Sequence, residues 1–348
     1  MAEKILVGMS GGVDSSAAAL LLKDKGYDIK GLTLCLYKDE KTPLSVRDAK
    51  QVCDKMQIPF DSLNLEDLFN EKVITSFIND YQNGLTPNPC IECNKHIKFG
   101  AMLDYALKNG FDKIATGHYA NIKKQGDRFV LTRAKDLSKD QTYVLYPLTQ
   151  HQLAHTLLPL GELTKDEARQ KAAQNGFVNA NKADSQDICF VPDGDYATFI
   201  SKTLDTEFSQ GDFLDLDGNV IGRHGGMIKY TVGQRKGLGM GFGRPMYVIT
   251  KDPALNTVIL GDEPNLLTKR VIVRDVNFIA LEALNDTINC KGKLRYRHAE
   301  QPCKITPLDK TTILAEFNEP QRAPTPGQSA VFYDGDAVLG GGYIVRSE

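Results

Sequence analysis

Apolar positions in the first part of the chain come in short runs separated by longer amphipathic stretches. Residues 4–9 read as a short apolar strand. Residues 14–25 set Ala17, Ala18, Leu21 and Leu22 on one helical face and stop at Gly26. The alternation continues with a strand at 28–36, a helix at 45–57 closed by Pro59, a strand at 60–65 and a helix at 66–82. A loop holding Pro87 and Pro89 leads into a helix at 94–109, ended by Gly110, and a strand at 112–116. This pattern predicts a doubly wound parallel sheet, an α/β domain whose ligands sit at the carboxyl ends of the strands.

The pattern then changes. Runs at 122–124 and 129–133 flank Gln125-Gly126-Asp127, a hairpin signal, and a mostly helical stretch follows to about residue 204. Between Gly218 and Lys251 glycines are dense and acids absent, whereas Arg223, Lys229, Arg235, Lys236, Arg244 and Lys251 are basic. Short β runs at 271–273, 291–296, 312–317, 329–333 and 337–345 predict a small C-terminal barrel. Three units are expected: a catalytic α/β domain at 1–204, a small mixed, Gly-rich basic domain at 205–265, and a β-barrel domain at 266–348.

Composition narrows the class. The 348 residues carry 42 Lys+Arg against 44 Asp+Glu, with 25% charged and 41% apolar, which excludes disordered and fibrous chains. No apolar run approaches the ~18–20 residues of a membrane span, and Met1-Ala2-Glu3-Lys4 opens no signal peptide, so a cytoplasmic protein is expected. A balanced charge argues against a generic polyanion binder but leaves room for a local basic face. Seven cysteines in such a chain do not read as a disulfide scaffold.

Gly8-Met9-Ser10-Gly11-Gly12-Val13-Asp14-Ser15-Ser16 falls where the first strand hands over to the first helix. Glycines let the backbone approach an anion, and a helix N-terminus adds N–H groups and a favourable dipole. The serines add donors, and Asp14 can hold a metal ion bridging phosphates. The string is neither a Walker A loop nor a dinucleotide fingerprint. Its bland reading is a tight turn capping a helix.

A second constellation is Cys90-Ile91-Glu92-Cys93, between the prolines and Lys95, His96 and Lys98. A helix start and nearby cations predict a lowered thiol pKa and a nucleophilic Cys93. A third is Asp184-Ser185-Gln186-Asp187-Ile188-Cys189-Phe190. A zinc set of Cys90, Cys93, Cys189 and His96 lacks the usual second close pair. Cys35, Cys53, Cys290 and Cys303 sit in apolar contexts and read as small buried hydrophobes. His118, in Thr116-Gly117-His118-Tyr119, ends a strand on the ligand side.

The phosphate-loop string resembles that of the PP-loop ATP pyrophosphatases. Taken in order, SGGVDSS, TPNP followed by CNKHIKF, ATGHYA, SKDQTY, DSQDICF, TVGQRKGLG, RYRH and PGQSAVFY resemble the tRNA-specific 2-thiouridylases (the MnmA/TrmU family) over essentially the whole chain. The resemblance implies ATP-dependent adenylation of the 2-carbonyl of a wobble uridine, then sulfur transfer, with AMP and pyrophosphate released. It implies that Gly8, Met9, Ser10, Gly11, Gly12, Val13, Asp14, Ser15, Leu34 and Gly117 hold ATP with Mg2+, and that Asn88, Pro89 and Cys90 meet the target base. Cys93 would be the nucleophile and Cys189 the persulfide carrier. His118, Lys139, Asp140, Gln141, Arg295, Tyr296 and Gln328 would contact tRNA, with the region of Gln234, Arg235 and Lys236 as further phosphate surface. Partners would be tRNAs such as those for Lys, Glu and Gln, and a sulfur donor such as a cysteine desulfurase or a relay protein, with no membrane.

One departure matters. The family pattern places an aspartate after the second proline of TPNP, where this chain has Cys90. The proton-handling role of that aspartate does not carry over, and three cysteines (90, 93, 189) become available as ligands of an iron–sulfur cluster. A persulfide relay ending in a Cys93–Cys189 disulfide and a cluster stand as rivals, with Cys90 favouring the cluster. Two other classes compete: a PP-loop ligase acting on a carboxylate or another tRNA base, which leaves Cys93 and Cys189 idle, and a non-enzymatic ATP-binding redox or metal sensor.

Overall fold

A computed structural model describes residues 2–37, 42–177, 179, 188–191 and 193–347, with backbone alone at 42 and 43. The apolar run Ile5, Leu6 and Val7 is fully buried and forms the middle of β1 (Lys4–Gly8). Helix α1 (Val13–Asp24) leads to β2 (Asp28–Cys35), α2 (Thr42–Lys55) to β3 (Phe60–Asn64), and α3 (66–82) and α4 (89–108) to β4 (Lys113–Ala115). A hairpin of β5 (Asn121–Gln125) and β6 (Arg128–Thr132) follows. Helices α5 (Thr142–Leu145) and α6 (Gln150–Ala154) then lead into β7 (Thr156–Leu157). The sheet order is β3-β2-β1-β4-β7, and every pair is parallel. Strand order reverses between β1 and β4, so a crevice opens at their carboxyl ends.

After α7 (Lys165–Gln174) and α8 (Tyr196–Leu204) come β8 (Gly211–Leu214), β9 (Val220–His224), β10 (Tyr247–Asp252) and β11 (Thr257–Gly261), ordered β10-β11-β8-β9. Phe213, Val248, Val258 and Leu260 fill this sheet's own core. The last unit comprises β12 (Leu267–Phe278), β13 (Ile288–Lys293), β14 (Gln301–Pro307), β15 (Ile313–Arg322), β16 (Ser329–Asp334) and β17 (Ala337–Ser347). These pair antiparallel in the order β12-β15-β14-β13-β16-β17, and β12 pairs with β17 to close a six-stranded barrel. Closure leaves the barrel no free edge.

The α/β unit and the barrel share a core. Leu6, Leu32, Phe99, Tyr143 and Tyr146 belong to one buried cluster with Ile279, Val331, Tyr333 and Val338. The β5–β6 hairpin leaves the parallel sheet and joins the barrel at Thr132 opposite Ala337. Among the described residues, no helix is long and apolar enough to cross a membrane.

Three details depart from the expected elements. Helix α4 begins at Pro89, because the Asn88 side chain accepts the Cys90 N–H and caps it there. Its stretch Cys93–Ala101 is π-helical, and the Gln152 amide takes up the Lys95 and Phe99 carbonyls. Strands β7 and β14 escape the sequence pattern, the first for its two residues and the second for the prolines 302 and 307 at its ends.

Candidate active site

The turn after β1 is shaped by its own hydroxyls. The Ser15 and Ser16 hydroxyls donate to the Gly12 carbonyl at 3.1 and 3.0 Å, and the Ser10 N–H donates to Ser15 Oγ at 3.2 Å. Gly11 has φ +71°, and a Cβ there would lie 2.6 Å from the Ser45 carbonyl oxygen, so only glycine fits. Met9 and Val13 are buried, Ser10 is exposed, and Leu34 lies half-buried near the end of β2. Asn179, buried, donates to the Gly11 carbonyl at 3.1 Å and the Ser16 hydroxyl at 2.9 Å, pinning the loop from behind. The loop predicted as a phosphate cradle is thus held by hydrogen bonds of its own, and a loop held in this way has little order left to gain on binding.

The chain leaving β4 closes on this loop. A Cβ on Gly117 would lie 2.7 Å from the Asp14 carbonyl carbon and 2.8 Å from the Ser15 nitrogen. His118 is buried, hydrogen-bonds Thr116 Oγ1 through Nδ1 at 2.8 Å, and packs beside Phe99. Burial and then the Lys98 charge hold its pKa well below the usual value, so its ring is neutral near pH 7. The Tyr119 hydroxyl donates to Asp14 Oδ1 at 2.8 Å, and the Tyr119 N–H to Gln141 Oε1 at 2.8 Å. The Lys139-Asp140-Gln141 run is therefore two hydrogen bonds away from the phosphate loop.

Sequence reasoning missed Lys165. Its ammonium donates to both Asp14 carboxylate oxygens at 2.8 Å, and the residue is 5% exposed. Small residues bring it there: Ala17 and Ala18 of α1 pack against Ala168 of α7, and Thr164 with Glu167 forms a capping box that starts α7 at Lys165. That box is legible in the sequence, but its pairing with Asp14 is not.

Cys90, Cys93 and Cys189 lie within one another's electrostatic reach. Cys90 and Cys189 are exposed, and Cys93 is buried. Burial pushes the Cys93 thiol up to about 12, Lys98 pulls it partly back, and the other two cysteines raise it further. This corrects the expectation of a lowered pKa. A helix N-terminus is worth ~0.3–1 kcal/mol, less than one pKa unit, whereas burial shifts a pKa by up to ~3–5 units. Cys93 also stands in the second turn of α4, so Cys90 takes the helix N-terminus. Asp184–Asp187 of the third constellation lie outside the described residues. Cys189 itself lines a cleft of about 220 Å³ together with Tyr37, Asp193, Asp195 and Lys202. Among the described residues, no three His, Cys, Asp or Glu side chains are close enough to hold a metal ion.

The barrel reaches over this loop. Gln328 Nε2 donates to the Thr86 carbonyl at 2.7 Å, and the Thr86 N–H to the Pro326 carbonyl at 2.9 Å. The Tyr343 hydroxyl donates to Glu92, which also pairs with His96 at 3.3 Å. Arg295 sits inside, donating to the Val232 and Ala323 carbonyls at 3.1 Å and tying the middle unit to the barrel. Tyr296 is 38% exposed, and its ring centroid lies 6.0 Å from that of Tyr143. Arg235 and Lys236 are exposed on their glycine-rich loop.

Asp80, near Glu92, has its pKa pushed up to about 6 by burial first and the Glu92 charge second. An acid raised on folding opposes the fold above its folded pKa and costs nothing below its unfolded one. Asp80→Asn should raise the melting temperature at pH 8 and leave it unchanged at pH 3. An equal shift at both pH values would contradict this.

Three domain families match the chain. Residues 3–193 match a "tRNA methyl transferase HUP domain", 197–262 a "tRNA methyl transferase PRC-barrel domain", and 268–344 an "Aminomethyltransferase beta-barrel domain". A tRNA-specific 2-thiouridylase MnmA of Clostridioides difficile is 48% identical over 100% of this chain and 99% of its own length. The tRNA-specific 2-thiouridylase MnmA 1 of Clostridium botulinum is 45% identical, covering 99% and 100%. The counterpart in Acetivibrio thermocellus is 47% identical, covering 98% and 99%.

Proposed function

The chain belongs to the tRNA-specific 2-thiouridylase family, and from that premise we propose how its residues replace the 2-oxygen of a tRNA wobble uridine with sulfur. The observation that carries this reading is convergence: Cys93 is buried in one apolar cluster with Phe190 and Val191, which follow Cys189 in the chain. The Lys98 charge acts on both thiols and on His118, the residue after the Gly117 that closes on the phosphate loop. A methyl transfer, which two of the domain descriptions name, needs neither a phosphate loop nor paired thiols.

In this reading ATP lies on the loop 8–15, bounded by Leu34 and Gly117, and enters with Mg2+, for which the Asp14 carboxylate is a suitable hard donor. The uridine O2 attacks the α-phosphorus, and the bond to pyrophosphate breaks with its electron pair leaving on pyrophosphate. The base, held by Asn88, Pro89 and Cys90, must be splayed from the anticodon loop to reach a thiol as buried as Cys93. The terminal sulfur of a Cys189 persulfide attacks C2, and AMP departs. The Cys93 thiolate then attacks the Cys189 sulfur, leaving 2-thiouridine and a Cys93–Cys189 disulfide that a cellular dithiol reopens. The described thiols are not gathered as metal ligands, so no step is derived through an iron–sulfur cluster.

Lys139, Arg235, Lys236 and Tyr296 supply surface for tRNA. Half-buried Gln328 and Arg295 and buried His118 hold the loops that meet it. The isoacceptors for Lys, Glu and Gln are the expected substrates, and a cysteine desulfurase or relay protein the sulfur donor.

The test is 2-thiouridine formation by metal-stripped protein, assayed anaerobically with ATP, magnesium, a sulfur donor and unmodified tRNA, and read by nucleoside mass spectrometry. Product without added metal supports the persulfide route. Product restored only by iron and sulfide overturns that route in favour of a cluster, and absence of product in both arms overturns the thiolation reading. Gly117→Ala should lower the melting temperature and weaken ATP binding about tenfold, because its Cβ meets backbone that cannot yield cheaply. ATP affinity equal to the wild type's would remove Gly117 from the pocket.

A further inference from the structure

The phosphate loop carries no cation of its own. From Gly8 to Ser16 the only charged residue is an acid, Asp14. N–H groups and a helix dipole supply only about half an elementary charge, and one Mg2+ leaves part of the several negative charges of a departing pyrophosphate uncompensated. The missing charge stands beside the loop. The Lys165 ammonium is 2.8 Å from both oxygens of Asp14, and its side chain is 7% exposed against 34% for Asp14.

A lysine this buried gives up most of its hydration, so its location needs a reason beyond fold stability. Buried ion pairs are on average no more stabilising than the apolar groups that could replace them. Tyr119 adds to the case: its hydroxyl holds Asp14 Oδ1 at 2.8 Å, and its ring lies 5.8 Å from Lys165 Nζ. Asp14 therefore keeps a donor when the ammonium turns away, and the ammonium keeps a ring face to move along. The α7 N-terminus is fixed meanwhile, because the Lys165 N–H donates to Asp136 at 3.0 Å and Thr164 caps the helix.

We propose that Lys165 is the protein's own cation of the ATP site, working beside Mg2+: its ammonium, held by Asp14, turns to the pyrophosphate portion of bound ATP. It neutralises the oxygens on which the electron pair lands when the α-phosphorus–oxygen bond breaks, and no proton moves in that step. The inference rests on the ATP reading above and adds a residue to it.

The test compares full-length wild type, K165M, K165Q and K165R by calorimetric titration with inorganic pyrophosphate and, separately, with AMP. K165M loses a charged hydrogen bond to the ligand and should bind pyrophosphate about tenfold or more weakly. AMP affinity should stay within about twofold, and K165R should recover most of the loss. K165Q, which keeps a polar head without the charge, should behave like K165M and replaces it if K165M melts early. Unchanged pyrophosphate binding, or equal losses for pyrophosphate and AMP, would overturn the assignment and leave Lys165 a structural partner of Asp14. A wild type that binds neither ligand would overturn the ATP reading together with it.

Discussion

Cys93→Ser should lower 2-thiouridine formation by about 10³-fold or more while leaving tRNA binding and pyrophosphate release within about twofold of wild type. Serine fills nearly the same volume and leaves Asn88, Pro89 and the α4 cap in place. What it removes is the sulfur that must attack Cys189, and an oxygen at that position forms no disulfide. Nucleoside mass spectrometry and a pyrophosphate assay on the same samples separate the two steps. Wild-type thiolation would sink the nucleophile assignment. The pH dependence has a definite sign. Burial places the Cys93 pKa at about 12, so the thiol form dominates throughout the neutral range. Where the thiol step limits the rate, that rate should climb about tenfold per pH unit from pH 7 to 9. A plateau below pH 8 would mean that bound tRNA or ATP brings the thiol down, adding to the pull that Lys98 already exerts.

The second large effect is expected at Asp14. Asp14→Asn should abolish detectable pyrophosphate release and lower stability by about 3 kcal/mol, because it strands the Lys165 ammonium in a nearly closed site. The low end of the range for broken buried pairs applies, since the Asp14 carboxylate is one-third exposed. Chemical denaturation measures the stability loss. The double variant Asp14→Asn, Lys165→Met should recover most of it without recovering activity, because no unpaired charge is left behind. A double variant no more stable than Asp14→Asn alone would show that the loss does not come from the unpaired Lys165 charge.

Much of the architecture is legible along the chain. The strand–helix alternation up to residue 116, the hairpin at Gly126-Asp127 and the C-terminal β runs all correspond to observed elements. The ordered motifs point to a family that the full-length relatives then establish. Local signals carry this information, since periodicity, turn residues and cap residues act on their nearest neighbours in the chain. Other features had no local signal. The π-helical stretch at Cys93–Ala101 depends on Gln152, which arrives from α6 to take its carbonyls. The glycines of the middle unit hide the period of a four-stranded sheet.

What the sequence by itself determined is the fold class, the phosphate loop and the identity of the chemically capable residues, because residue type and spacing suffice to specify them. The tertiary structure decided the state of those residues. Cys93 was expected as a ready thiolate from its helix and its cations; packing buries it, and desolvation outweighs both. His118, Arg295 and Gln328 were expected to contact tRNA; the structure adds that they hydrogen-bond Thr116, the Val232 and Ala323 carbonyls, and Thr86. Lys165 was one lysine among many until two alanine-lined helices brought it onto Asp14. Burial and long-range pairing set charge and reach, and neither is a property of any short stretch of chain.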